Sequence, residues 1–91
     1  MKEETVTVEV TLFGPLRAYL KDPKVILQVP LTGCIGDIRK QLGEILRGTS
    51  PSFPLPLLNH SAIGNETRIL TDAEPIGKER SFAILPPVAG G

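Results

Sequence analysis

Cysteine, histidine and tyrosine each occur once in this sequence, and tryptophan is absent. A lone Cys34 excludes an internal disulfide. With so few nucleophiles and bases there is little material for a catalytic triad, and the ten carboxylates show neither the His-Glu-x-x-His spacing nor that of a calcium loop. No metal site and no side-chain catalysis are expected. A charge surplus is missing too: ten Lys and Arg balance ten Asp and Glu, and no stretch concentrates one sign. The long-range field that steers proteins to nucleic acid or anionic lipid is therefore absent, and nucleic acid is not an expected partner. Nowhere do ~18 apolar residues run together, so no membrane span is expected. The polar start Met1-Lys2-Glu3-Glu4 has no apolar signal core behind it, which makes a cytoplasmic location the expectation.

What is present is enough for one core. Leu, Ile, Val and Phe make up 29 of the 91 residues, well above the ~20% below which disorder is the default. From Thr5 to Phe13 the chain alternates, with Val6, Val8, Val10 and Leu12 on one face and Thr5, Thr7, Glu9 and Thr11 on the other. That is a half-buried strand. Gly14-Pro15 punctuates it, Leu16 to Lys24 reads as a connection with a turn near Asp22-Pro23, and Val25 to Val29 is a second strand stopped by Pro30. The two are expected to pair as a hairpin.

The period then changes. Ile35, Ile38, Leu42, Ile45 and Leu46 recur at three- and four-residue intervals, which predicts one amphipathic helix of about three turns. Gly48 after Arg47 marks its expected C-terminus. At its start Cys34 stands where Ser or Thr would cap, with Asp37 placed to reach back to the backbone. Three prolines and two serines from Gly48 to Pro56 read as a loop. Leu57 to Ile63 then reads as a third strand, Gly64-Asn65 as a turn, Glu66 to Leu70 as a short fourth strand, and Ser81 to Leu85 as the last. The order β-β-α-β-β-β, with one helix available to cover the sheet, is the layout of an α+β fold of the β-grasp, or ubiquitin-like, type: a mixed sheet of about five strands with one main helix across it. Its expected core is Val6, Val8, Val10, Leu27, Ile35, Ile38, Leu42, Ile45, Leu58, Phe82 and Ile84.

The last strand runs into Pro86-Pro87-Val88-Ala89-Gly90-Gly91. Two prolines cannot continue a ladder and favour an extended stalk. Val88 and Ala89 are small and uncharged, and Gly90 and Gly91 carry no side chain that would obstruct a narrow channel. Residues 1–85 thus read as a β-grasp domain and 86–91 as a flexible arm, disordered from Val88 onward, that ends in an α-carboxylate.

This tail, with Leu85 before it, resembles the terminal signature of the sulfur-carrier branch of ubiquitin-like proteins, nearest to the small subunit of molybdopterin synthase. Leu12-Phe13-Gly14-Pro15-Leu16-Arg17 resembles that family's strand-end pattern, Cys34-Ile35-Gly36-Asp37-Ile38 its helix opening, and Leu58-Asn59 the Val-Asn of its third strand. Gly77-Lys78-Glu79-Arg80 departs from the usual Gly-Asp-Glu turn, and the stretch from Asn59 to Pro86 is longer than typical.

The resemblance implies a chemistry. The protein would be no enzyme on its own and would bind no cofactor. An adenylating, ubiquitin-activating-like enzyme using ATP and Mg would activate Gly91, and a sulfur donor protein would convert the adenylate to a thiocarboxylate. Pro86, Pro87, Val88, Ala89 and Gly90 would insert the loaded tail into the large subunit of molybdopterin synthase, which supplies the catalytic side chains. Phe13, Arg17, Arg80, Phe82 and Ile84, near the tail's root or in the family's motifs, are the candidate partner-binding residues, with the three apolar ones also candidates for core. Cys34 reads as a buried or half-buried small hydrophobe and His60 as a surface or cross-strand residue. Two further readings share the activation step: an archaeal-type modifier joined through Gly91 to lysines, and a sulfur carrier for thiamin, cysteine or tRNA thiolation.

Overall fold

A computed structural model describes residues 4–86. It contains five strands, β1 (Thr5–Leu12), β2 (Lys24–Pro30), β3 (Ala62–Gly64), β4 (Ile69–Leu70) and β5 (Ser81–Leu85), and two helices, α1 (Ile35–Thr49) and α2 (Leu55–Asn59). The strands form one sheet in the order β2-β1-β5-β3-β4. β1 pairs antiparallel with β2 and parallel with β5, while β3 is antiparallel to both β5 and β4. The sheet is therefore mixed, and α1 packs across one face of it, as the change of hydrophobic period predicts.

Register explains the core. Val10 pairs with Val25 on one side and Phe82 on the other; Leu12 pairs with Ile84, Ile84 with Ile63, and Ile63 with Leu70. Since pairing partners share a face, each strand's apolar set falls on the side that meets Ile35, Ile38, Leu42 and Leu46 of α1, and all of these are buried. Val6 and Ile45, both expected in the core, are only half-buried at its margin, whereas Leu16, Phe53 and Ile76 complete it.

α1 is capped by the Asp37 side chain together with carbonyls of the loop before β5. The Asp37 carboxylate accepts from Cys34 N–H at 2.8 Å, and the orphan N–H groups of Ile35 and Gly36 donate to the carbonyls of Glu74 and Asp72. The other end differs from the expectation at Gly48, which lies inside the helix. Ser50, whose N–H still donates to Leu46 O, turns extended because Pro51 follows it, so proline and not glycine ends the helix.

Three other segments depart from the sequence reading. The strand end at Leu12 is followed by a 3₁₀ helix, Gly14–Tyr19, that opens on Pro15 and buries Leu16. The expected strand from Leu57 to Ile63 is α2 followed by the three residues of β3. Pro56 sits in the helix's first turn, where its missing N–H costs nothing, and Leu55 and Leu58 turn inward against Gly43. Leu58-Asn59 therefore matches a family strand pattern while standing in a helix. The fourth strand shrinks to Ile69–Leu70 because Asn65 Oδ1 accepts from the N–H groups of Thr67 and Arg68 and winds 65–68 into a turn.

One side chain ties these segments together. Arg39 places Nε and Nη2 on the Asp72 carboxylate at 3.0 and 2.9 Å, and Nη1 on the carbonyls of Leu58 and Ser61 at 2.7 and 2.8 Å. α1, the α2–β3 junction and the stretch before β5 are thereby fixed to one another.

Candidate functional site at the root of the tail

β5 leads into Pro86, and the geometry there is set by the end of β1. Phe13 N–H donates to Ile84 O at 3.3 Å, extending the parallel ladder by one bond. Gly14 then turns with φ +63°, and a Cβ built on it would lie 2.7 Å from Cγ of Pro86. Glycine is required here twice: for the left-handed backbone, and because the proline ring occupies the space a side chain would take. The direction in which the chain leaves the sheet is thus held by a contact between two backbone-restricted residues. Pro87, Val88, Ala89, Gly90 and Gly91, with the expected flexibility of that arm, lie outside the described residues.

Beside this root is the sheet face that α1 leaves uncovered. Its β2–β1 half is polar: Glu9 approaches Lys24 at 3.9 Å, Thr5, Thr7 and Thr11 point outward, and Ile26 is the large apolar exception. The β5–β3–β4 half is different. Ala83 pairs with Gly64 and Gly64 with Ile69, while Leu85 pairs with Ala62, so small and apolar residues occupy it without a charge. Ile69 is 54% exposed and Phe13, at the edge of the root, 43%. Beside Phe13 lies a hollow of about 200 Å³ over Thr11, Ala83 and Gly64, with Asn65 and Glu66 at its rim. A Cβ at Gly64 would stand 3.0 Å from Arg68 O and 3.2 Å from the Ile69 side chain, so glycine keeps this floor flat and open.

The expected partner residues divide accordingly. Phe13 is exposed at the root, and Arg17 is exposed on the 3₁₀ helix that follows it. Phe82 and Ile84 are not at the surface: they are 3% and 0% exposed because their places in β5 face α1. Their neighbours Ala83 and Leu85 face outward instead, a result that period-two alternation already contains once Phe82 and Ile84 are put in the core. Arg80 precedes β5 at the end opposite the root, roughly 20 Å away at strand rise. Its Nη1 donates to the carbonyls of Gly77 and Glu79, which ties down its own loop. Gly64, expected in a turn, is the last residue of β3, and neither it nor Ile69 carries a site signal in the sequence.

The remaining titratable groups are structural. Glu74 accepts from the Arg68 guanidinium and from Thr71 N–H, which holds its carboxyl at about 2, and Arg39 pulls the Asp72 carboxyl below its ordinary range. Cys34 is half-buried at the N-cap of α1. His60 ends α2 rather than standing on a strand, with Nδ1 2.8 Å from Pro56 O. Among the described residues no group of three His, Cys, Asp or Glu is placed to hold a metal, and no helix is long and apolar enough to cross a membrane.

No protein-family model matches the chain. Over 89 residues, 96% of this chain and 99% of its relative, the sequence is 34% identical to the molybdopterin synthase sulfur carrier subunit of Synechococcus elongatus. Two solved structures share the fold. SAMP1 of Haloferax volcanii aligns with a TM-score of 0.71 at 20% identity, covering 94% of this chain and all of the other. A chain in the complex of subunits 1 and 2 of the molybdopterin-converting factor of Helicobacter pylori aligns at 0.59 and 24% identity, covering 94% and 100%. These likenesses show the β-grasp fold; the near full-length identity shows more, and on it the chain belongs to the family of molybdopterin synthase sulfur carrier subunits.

Proposed function

We propose that this protein carries sulfur on the carboxyl carbon of Gly91. A carboxylate is inert to nucleophiles at neutral pH because its leaving group would be oxide. An activating enzyme with Mg-ATP removes that obstacle: a Gly91 oxygen attacks the α-phosphorus, pyrophosphate leaves, and an acyl-adenylate forms. A sulfide equivalent from a donor protein then attacks the acyl carbon and AMP departs, which leaves a thiocarboxylate. Delivery of the sulfur to a pyranopterin in the large subunit of molybdopterin synthase, followed by hydrolysis of the acyl group, returns Gly91 for another cycle.

The observation that carries this reading is the 34% identity to a sulfur carrier subunit along almost the whole of both chains. The site supports it in kind. Gly14 and Pro86 hold the exit of the tail, and the small and apolar strand residues of the open sheet face, with Glu66 at their rim, offer a large subunit a flat seat next to that exit, the type of surface that marks protein partners. The Helicobacter pylori relative of this fold was solved as a protein–protein complex of two subunits, which fits the same reading. Intact mass of the protein isolated from its native host tests it. An oxygen-to-sulfur increment confined to the C-terminal peptide is the expected result; Gly-Gly remnants on lysines of other proteins, with no increment, would assign Gly91 to conjugation instead.

A further inference from the structure

A second concavity lies in the helix layer, across the sheet from the open face. It is a groove of about 680 Å³ between α1 and α2, within the size range of ligand clefts. Leu55 and Leu58 of α2 form its apolar floor against Gly43, whose missing side chain lets them approach: a Cβ there would lie 3.3 and 3.4 Å from their methyl groups. Gly48 lines it as well, and for Gly48 no packing reason exists. It is the next-to-last residue of α1 and has nothing within 4 Å of a built Cβ, so this end of the groove is open. Along the rim stand Lys40 and Arg47, two turns or about 10 Å apart. Both are exposed and form no ion pair among the described residues, whereas Arg39 is committed to Asp72. Glu44 is the single carboxylate of the lining.

We propose that the α1–α2 groove docks an acidic, leucine-bearing peptide segment of a partner protein. The apolar floor accepts the aliphatic side chains, and the two free cations select carboxylates beside them. With Glu44 one turn from each of them, Lys40 and Arg47 leave the rim one positive charge in surplus, which argues for an acidic occupant. A second copy of the chain does not meet that requirement, since a two-fold contact would face this patch with its own copy and oppose two cations and one carboxylate to the same set. Nucleic acid is a poor fit because the lining offers no aromatic ring on which a base could stack. The proposal stands apart from the fate of Gly91: the groove is on the other side of the sheet, and the titration below reads nothing from the tail's chemistry.

The test is a titration of the ¹⁵N-labelled full chain with a short leucine–glutamate peptide, its leucine–lysine counterpart and a single-stranded RNA oligonucleotide. Amide shifts at Lys40, Gly43, Gly48 and Leu55 with the glutamate peptide alone are expected. Affinity should fall roughly tenfold or more in the Lys40→Gln/Arg47→Gln variant, which alters only exposed positions, and in Gly48→Leu, which fills the groove. Equal binding of the lysine peptide or of RNA, shifts confined to Ala83 and Leu85, or no shifts at millimolar peptide would overturn it. So would groove shifts that appear on removing residues 87–91 or on raising the protein concentration, since these would assign the groove to the chain's own tail or to a second copy.

Discussion

The root of the tail and the α1–α2 groove are both shaped by side chains that are missing, yet glycine does opposite things in them. At Gly14 the absence is forced, by a φ of +63° and by a proline ring 2.7 Å from where Cβ would be. At Gly48 nothing forces it, and the volume stays empty. The first arrangement fixes a direction; the second keeps a space. A glycine is therefore informative about function only after its neighbours are known, because close approach and deliberate vacancy look identical in sequence.

Substitutions can break or sharpen that contrast, and the largest effect belongs to the end of the chain. Deleting Gly91 should abolish ATP-dependent adenylate formation by the cognate activating enzyme while leaving the melting temperature unchanged, because the reacting carbon moves away from its near-attack position. Retained adenylation would remove the tail from the chemistry altogether. Next is Gly14→Val, which should cost about 2 kcal/mol in urea unfolding from the left-handed backbone, with further loss as the Pro86 ring is displaced. A neutral outcome would mean that the root is looser than its geometry indicates.

Arg39→Met should cost about 1–2 kcal/mol, discounted because Asp72 is half exposed, through the loss of hydrogen bonds that join α1 to the α2–β3 junction. The pH dependence has a definite sign. Asp72 and Glu74 titrate lower in the folded chain than in the unfolded one, so their stabilisation is fully present above the ordinary carboxylate range. It fades as pH falls through that range towards about 2, the folded value for Glu74. Urea midpoints between about pH 6 and pH 2 should fall in the parent and fall less in Arg39→Met, where the Asp72 share has already gone. The smallest expected change is a gain: Gly48→Ala should stabilise by about 0.5–1 kcal/mol, since open space and helical backbone both accept a methyl group. A loss there would show that Gly48 is a packing glycine like Gly43.

How much of this was legible beforehand follows the strength of the periodic signal. Thr5 to Leu12 and Ile35 to Leu46 repeat cleanly at two and 3.6 residues, and both the hairpin and the helix stand where the pattern put them. Leu57-Leu58 is a short apolar run bounded by proline and polar residues, which a buried strand and a buried helical turn present alike; packing against Gly43, invisible in one dimension, decided for the helix. Gly48 misled because a terminal glycine is the commoner case, while the proline at 51 carried the real stop. At the site, Phe13 and the Gly14-Pro15 punctuation were readable. The open apolar half of the sheet was not, because Ala62, Gly64 and Ile69 come beside Ala83 and Leu85 only through a pairing order that no local pattern encodes.

The place of β5 in that order has a mechanical side. It is an inner strand, bonded to β1 on one edge and to β3 on the other, and the tail is its direct continuation. A partner that grips the residues beyond Pro86 and pulls loads β5 along its own length. The ladder bonds on both edges lie across that pull and resist it together in shear, whereas an edge strand such as β4 would have a single ladder to hold it. On the proposed function, tension applied through the residues after Pro86 would thus fall on the strand held from both sides.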